Sequence, residues 1–313
     1  MQYKLWGSTN DPKILNEYRK YIDRNVQACI DKKVPEEILK TEEDIRLLDC
    51  FIWCVRMAIS SLVGYLPPEI DIGKQIKFVT GAWFDNHGQS PAAAGAAEYA
   101  VLYIAKERIH NWTHLFQVVA HEAIHLFSYR TYYINHAHGY YRDDRIGYAC
   151  FDPCACSNSP YYTGFNEAMT DQLAMLIVEN YHQVVTQYFN LKYNHSDMVF
   201  GYPWATSIMV KIVIQVDSCG LKERDAFCRL IFQGMFTGYR RHLRIIDKCF
   251  GPHSLYILSL LGTAMGDLGN NEMNKLINDY FSLATLEARR SLQQLLLPYT
   301  RPLILKSYES YDI

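Results

Sequence analysis

Side chains that can bind a metal and transfer protons are concentrated in residues 118–127, VVAHEAIHLF, where His121, Glu122 and His125 have the spacing H-E-x-x-H. On a helix, residues four positions apart lie on one face, so the two imidazoles can bind one metal ion together. Glu122 would then lie beside the open position of the metal, where its carboxylate can accept a proton from bound water. The segment therefore predicts a hydrolytic metal centre on a helix.

The residues around this motif are apolar: Val118, Val119, Ala120, Ala123, Ile124, Leu126 and Phe127. A helix that is apolar on nearly every side is a buried helix. Imidazole and carboxylate groups inside it need partners, and a divalent cation supplies them. A core helix whose histidines hydrogen-bond to the backbone is the alternative that the motif alone leaves open.

A second acidic motif follows in residues 164–181, GFNEAMTDQLAMLIVENY, whose apolar spacing predicts an amphipathic helix. Glu167 lies in its first turn and Asp171 one turn later. H-E-x-x-H followed by E-x-x-x-D resembles the gluzincin clan of zinc metallopeptidases, which includes thermolysin and anthrax lethal factor. The local form N-E-A-x-T-D is also similar to bacterial gluzincin-like proteins with N-E-[GA]-x-T-[DE]. The resemblance covers roughly Glu98 to Tyr181.

The resemblance implies one catalytic Zn²⁺ ion held by His121, His125 and Glu167, with Asp171 orienting His121. It also implies hydrolysis of a peptide or protein substrate by zinc-activated water, with Glu122 as the general base. General chemistry agrees, because a ligating imidazole usually donates its other N–H to a carboxylate or carbonyl. Three protein ligands also leave a fourth position for water, as in catalytic sites.

A catalytically inactive zinc-binding scaffold or interaction protein of the same fold is the alternative function. The intact Glu122 argues against this alternative, because a structural zinc site has no use for a carboxylate at that position. Forty-two positions separate His125 from Glu167, which is about twice the thermolysin separation and nearer to the lethal-factor type. The shape of the primed side of the cleft therefore stays open.

A donor for the developing oxyanion is predicted just before Glu167. Tyr161 and Tyr162 lie six and five positions before it, a placement similar to that of the lethal-factor tyrosine. Tyr161 is the predicted donor and Tyr162 the next candidate. An ordinary packing role for Tyr161 stays open.

Three cysteines, Cys150, Cys154 and Cys156, lie between the two motifs. Their C-x-x-x-C-x-C spacing is not that of a regular zinc knuckle, which favours free thiols or a redox-sensitive loop. A second metal, bound with His136 or His138, is the alternative.

The composition is that of an ordinary globular protein, with 313 residues, 49% hydrophobic and 20% charged. A formal net charge of −2 argues against nucleic acid or an anionic membrane as the main partner. The longest apolar run, Ser254 to Met265, is too short to span a bilayer. Nine cysteines without a secretory signal predict mostly reduced thiols and a cytoplasmic protein. The oligomeric state is not predicted.

The predicted helices and strands that must position these residues indicate an α+β, zincin-like fold. It would consist of a small, mostly antiparallel sheet and the active-site helix, followed by a helical C-terminal lobe. The predicted divisions are an N-terminal helical segment (residues 1–70), a zincin-like catalytic core with the HExxH and third-ligand helices (71–200) and the helical lobe (201–313).

Within this plan, periodicity predicts a helix over residues 11–33 and a second helix capped by Thr41 with Asp44. Strands are predicted at 76–80 and 98–105, and the motif helix should begin at Asn111 or Thr113 and end near Arg130. The strand at 98–105 is interpreted either as a rim that pairs with an extended substrate or as a plain core strand.

Beyond residue 205 the sequence predicts helices at 207–216, 222–236, 254–265, 272–283 and 286–296. The arginine-rich stretch from Tyr239 to Arg244 is interpreted as a solvated helix face. Contact between these arginines and substrate carboxylates is the alternative.

Overall fold

The computed structural model describes residues 3–87, 92–151, 161–199, 201–262 and 270–299. Over these residues the chain is an α+β protein with twelve α-helices and two four-stranded sheets. The predicted α+β class is therefore confirmed. The expectation of a single sheet is wrong, because the described residues form two sheets. In one of them, two strand pairs are antiparallel, as expected, and one pair is parallel.

The first seventy residues carry two long helices, α1 (Pro12–Asp31) and α2 (Glu42–Val63). Helix α2 begins with a reciprocal capping box, in which the Thr41 side chain accepts from the Asp44 N–H and the Asp44 side chain accepts from the Thr41 N–H. The predicted cap is thus confirmed. Two short strands, β1 (Tyr3–Gly7) and β2 (Glu37–Ile38), lie in the same stretch and were missed by the helical prediction.

One sheet has the strand order β2–β3–β5–β4, with β3 at Ile76–Val79, β4 at Gly95–Glu98 and β5 at Val101–Ala105. Strands β3 and β5 are parallel, whereas β2 and β4 pair antiparallel to their neighbours. Short helices α3 (Ile72–Gln75) and α4 (Gly81–Asn86) flank β3.

Within the predicted strand 98–105, β5 covers only residues 101–105. Glu98 is the last residue of β4, and a turn in which Tyr99 has a φ of 51° separates the two strands. Strand β5 is buried along its whole length and pairs on both sides, so its interpretation as a core strand is correct. On this side of the sheet the edge strand is β4. The sequence did not reveal this edge because GAAE lacks the branched and aromatic residues that are typical of strands.

The other sheet has the order β1–β6–β7–β8, with β6 at Arg130–Asn135, β7 at Tyr140–Ile146 and β8 at Ala149–Cys150. Strands β6, β7 and β8 lie between the two motif helices, where the sequence analysis predicts no strand. Helix α5 (Trp112–Phe127) precedes β6, so the expected helix end near Arg130 is wrong by three residues.

Helix α5 begins where the Asn111 side chain accepts from the His114 N–H at 2.9 Å, so Asn111 is the cap. The ring of Phe116 stacks on Phe51 of α2, with centroids 4.4 Å apart. Helix α6 (Thr163–Phe189) is the longest helix in the described residues. The two helices predicted to carry the chemistry are therefore both present.

In the part of the chain that the structure describes, six helices follow α6: α7 (Pro203–Ser218), α8 (Arg224–Thr237), α9 (Arg244–Phe250), α10 (Ser254–Ser259), α11 (Asn270–Ser282) and α12 (Leu286–Leu296). The predicted helix 254–265 ends early, at Ser259, and residues 263–269 lie outside the described part of the chain. Across the described residues, no helix combines the length and apolarity needed to cross a membrane.

The arginine-rich stretch is only partly solvated. Tyr239, Arg241 and Arg244 are exposed, but Arg240 and His242 are buried, so the interpretation as a solvated face is wrong for these two. Arg240 Nη2 donates to the Tyr148 carbonyl at 3.3 Å and contacts Cys150 Sγ at 3.0 Å. Burial and two nearby arginines lower the pKa of His242 to about 4.

The chain divides into two compact units. One unit comprises Met1–Ser128, Ile134–Tyr141 and Thr170–Phe200, and the other comprises Tyr129–Tyr133, Arg142–Met169 and Gly201–Ile313. Helix α6 belongs to both units, because the boundary falls between Met169 and Thr170.

Candidate metal centre

The two motif histidines present their Nε2 atoms to each other on α5, 3.1 Å apart. Tetrahedral zinc with Zn–N bonds of 2.0–2.1 Å requires two ligand nitrogens to be about 3.3 Å apart. The observed separation is therefore close to that of two imidazole nitrogens on one ion.

Asp171 lies behind His121. The distance from His121 Nδ1 to Asp171 Oδ1 is 3.5 Å, and the Asp171 side chain is only 4% exposed. Nδ1 faces this carboxylate, so a proton on Nδ1 would be directed at Asp171 and Nε2 would be the lone-pair donor. This is the orientation that a metal ligand needs, and the role of Asp171 in providing it stays a prediction.

Glu167 lies on α6 and completes a group of three ligand atoms. One ligand atom each from His121, His125 and Glu167 lies within 4.8 Å of the other two. Among the histidine, cysteine, aspartate and glutamate side chains of the described residues, these three form the group that could hold a metal ion. Two nitrogens and one carboxylate oxygen are a donor set that zinc accepts, and they leave a fourth coordination position.

The start of α6 is held in place by backbone hydrogen bonds. The N–H groups of Tyr162 and Gly164 donate to the carbonyls of Ser259 and Leu261, at 2.7 and 2.8 Å. A Cβ at Gly164 would lie 2.8 Å from the Leu261 backbone, so only glycine permits this approach. Tyr162 has a φ of 60°, a conformation that costs a non-glycine residue roughly 1–2 kcal/mol.

Asn166, directly before Glu167, anchors the same turn of α6. Its Oδ1 accepts from the Tyr148 N–H at 2.8 Å, and both residues are buried. Sequence reasoning noted Asn166 as part of N-E-A-x-T-D but assigned it no role. The position of Asn166 in an amphipathic helix could have suggested this role, because a buried asparagine side chain needs a hydrogen-bond partner outside the helix.

Glu122 is buried, with 8% of its surface exposed, and its side chain lies against strand β4. A Cβ at Gly95 would come within 2.8 Å of both Cγ and Oε1 of Glu122, and within 2.7 Å of Val118 Cγ1. The φ of Gly95 is not in the left-handed region, so space and not backbone conformation favours glycine here. A larger residue would make the side chains of Glu122 and Val118 move. Sequence reasoning missed Gly95 because the contact between β4 and α5 is long-range.

The two candidate oxyanion donors are both buried, Tyr161 at 2% and Tyr162 at 1% exposure. The Tyr162 hydroxyl donates to the Leu255 carbonyl at 2.9 Å, so its single proton is already used. Tyr161 forms an antiparallel bridge with Cys150. The role of Tyr161 as the oxyanion donor stays a prediction.

The cysteine cluster is described only in part. Cys150 is a half-buried free thiol in β8, whereas Cys154 and Cys156 lie outside the described residues. His136 and His138, the proposed partners for a second metal, are both exposed. The second-metal alternative stays a hypothesis.

Comparison with family models, with curated proteins and with solved structures finds no match to this chain. The interpretation of the site therefore depends on the geometry and chemistry of its own residues.

The contact of Asp171 with His121 leads to the first prediction. Asp171→Asn keeps the size of the side chain but removes its charge, so zinc affinity should fall about ten- to a hundredfold while the fold is retained. Competition with a chelator measures the affinity. Asp49→Asn, the same substitution on an exposed residue of α2, is the control. Equal affinity in both variants would show that Asp171 does not orient the ligand.

Proposed function

We propose that this chain is a zinc-dependent metallopeptidase of gluzincin type with a zincin-like fold. The observation that carries the proposal is the convergence of His121, His125 and Glu167 within 4.8 Å, with Glu122 next to the first ligand on the same helix. Three ligands plus an adjacent carboxylate is the composition of a catalytic zinc site.

In this proposal, a bound zinc ion supplies Lewis-acid polarisation of the scissile carbonyl and acidifies the attacking water. Glu122 accepts the proton from that water and returns it to the leaving amine. Asp171 keeps Nε2 of His121 available by holding the proton on Nδ1. Tyr161 donates a hydrogen bond to the oxyanion.

Strand β4 supports a peptide as the substrate. It is the last strand in the order of its sheet, so one of its edges is unpaired with any strand of the described residues. Its residue Gly95 is close to the carboxylate of Glu122. An extended peptide that adds to this edge by main-chain hydrogen bonds would therefore run beside the proposed base.

Removal of the metal tests the proposal. The purified protein is incubated with a broad peptide library, with and without a chelator, and the products are identified by mass spectrometry. We expect cleavages that disappear with the chelator and return when one equivalent of zinc is added. If elemental analysis shows that the metal has been removed and cleavage still persists, the proposal is contradicted.

Absence of zinc in protein purified without added metal, together with failure to bind added zinc, would also contradict it. Stoichiometric zinc without cleavage of any library peptide would favour the inactive zinc-binding scaffold. These outcomes separate metal binding from turnover.

A further inference from the structure

Two cysteines far apart in sequence are adjacent in the helical C-terminal region. Cys219 follows the last residue of α7 and Cys249 lies in α9, with thirty positions between them, and their Sγ atoms are 3.6 Å apart. Both are free thiols, Cys219 exposed and Cys249 half-buried. A disulfide bond is about 2.05 Å long, so the sulfurs need to approach by only about 1.5 Å.

We infer that Cys219 and Cys249 are a site of reversible covalent modification, at which a low-molecular-weight disulfide oxidises them to an intramolecular disulfide. This inference is independent of the proposed zinc chemistry. It depends on the proximity of the two thiols and on the exposure of one of them.

The exposures set the order of the chemical steps. The thiolate of exposed Cys219 attacks one sulfur of oxidised glutathione, forms a mixed disulfide and releases one glutathione thiolate. Cys249 then loses its proton to solvent and attacks the Cys219 sulfur, which releases the second glutathione. Two protein thiols are oxidised and one glutathione disulfide is reduced to two thiols.

The environment of Cys249 favours its role as the second thiol. Burial, followed by the contact with Cys219, raises the pKa of Cys249 to about 12. A thiol that ionises so reluctantly is a poor first nucleophile towards a reagent in solution. Next to a mixed disulfide on Cys219, however, its attack is intramolecular, and high effective concentration compensates for a small thiolate fraction.

The proposed bond would act on a segment that reaches helix α6. Asp247, two residues before Cys249, accepts from the Leu255 N–H at 2.8 Å and so connects α9 to α10. The carbonyls of Ser259 and Leu261, at the end of α10 and just beyond it, accept from the N–H groups at the start of α6. The bond would therefore tie α7 to the segment that holds the turn before Glu167.

The experiment uses the folded full chain with oxidised glutathione, followed by alkylation of the remaining thiols and tryptic mass spectrometry. We expect residues 212–222 and 249–275 to be joined and to separate after reduction. The bond closes a loop of about thirty residues, so the melting temperature should rise by roughly 5–10 °C. Both effects should be absent in Cys219→Ser and in Cys249→Ser.

Cys50→Ser/Cys54→Ser is the matched control, because those two thiols also contact each other, one turn apart in α2. This variant should retain the crosslink and the thermal shift. A stable mixed disulfide on Cys219, no crosslink at any glutathione concentration, or a crosslink that lowers the melting temperature would each overturn the inference. The last result would show that the native structure must distort to form the bond.

Discussion

Glu122→Gln should abolish most hydrolysis while leaving zinc content and thermal stability close to those of the parent protein. Glutamine keeps the shape of the side chain and a hydrogen-bonding group, but it cannot accept a proton. The carboxylate is proposed to contact the attacking water and not the metal, so the ligands are untouched. A positioned general base contributes roughly a hundredfold to ten-thousandfold, and the rate should fall by that factor.

Peptide-library cleavage in parent and variant, with zinc measured in both, checks this result. Glu43→Gln, the same substitution at an exposed position in the first turn of α2, is the control and should cleave as the parent does. A Glu122→Gln variant that cleaves at the parent rate would refute the assignment of the base. Loss of zinc together with activity would instead show that Glu122 supports the metal itself.

The second large effect concerns the ligands. Glu167→Ala and His121→Ala should each lose most of the bound zinc, because each removes one of three donor atoms that lie within 4.8 Å of one another. Two remaining ligands do not make a structural or a catalytic zinc site. Elemental analysis after dialysis measures the metal.

His138→Ala is the control for this experiment, because His138 is an exposed histidine outside the group of three. It should keep full zinc. Full zinc in Glu167→Ala would remove that residue from the site, whereas loss of zinc in His138→Ala would point to the alternative second metal near the cysteines.

The sequence alone determined the parts of the candidate site that lie within one helix. Spacing by four residues places His121 and His125 on one face of α5, and the structure has their Nε2 atoms 3.1 Å apart. The caps at Thr41 and Asn111 were also readable, because a cap involves residues only two or three positions apart. Helix faces and helix caps depend on residues that are close in sequence, so the pattern of residue types predicts them directly.

Only the tertiary structure decided which distant residues meet these helices. Glu167 lies 42 positions after His125 in the sequence. Its convergence with the two histidines was suggested only by the resemblance, and the folded structure is what places the three residues together. The contact between Gly95 and Glu122 and the burial of Arg240 correspond to no periodic pattern in the sequence. The physical reason is that these contacts are set by how strands and helices pack over long sequence separations. Hydrophobic spacing and turn residues describe one element at a time and carry no information about its partner.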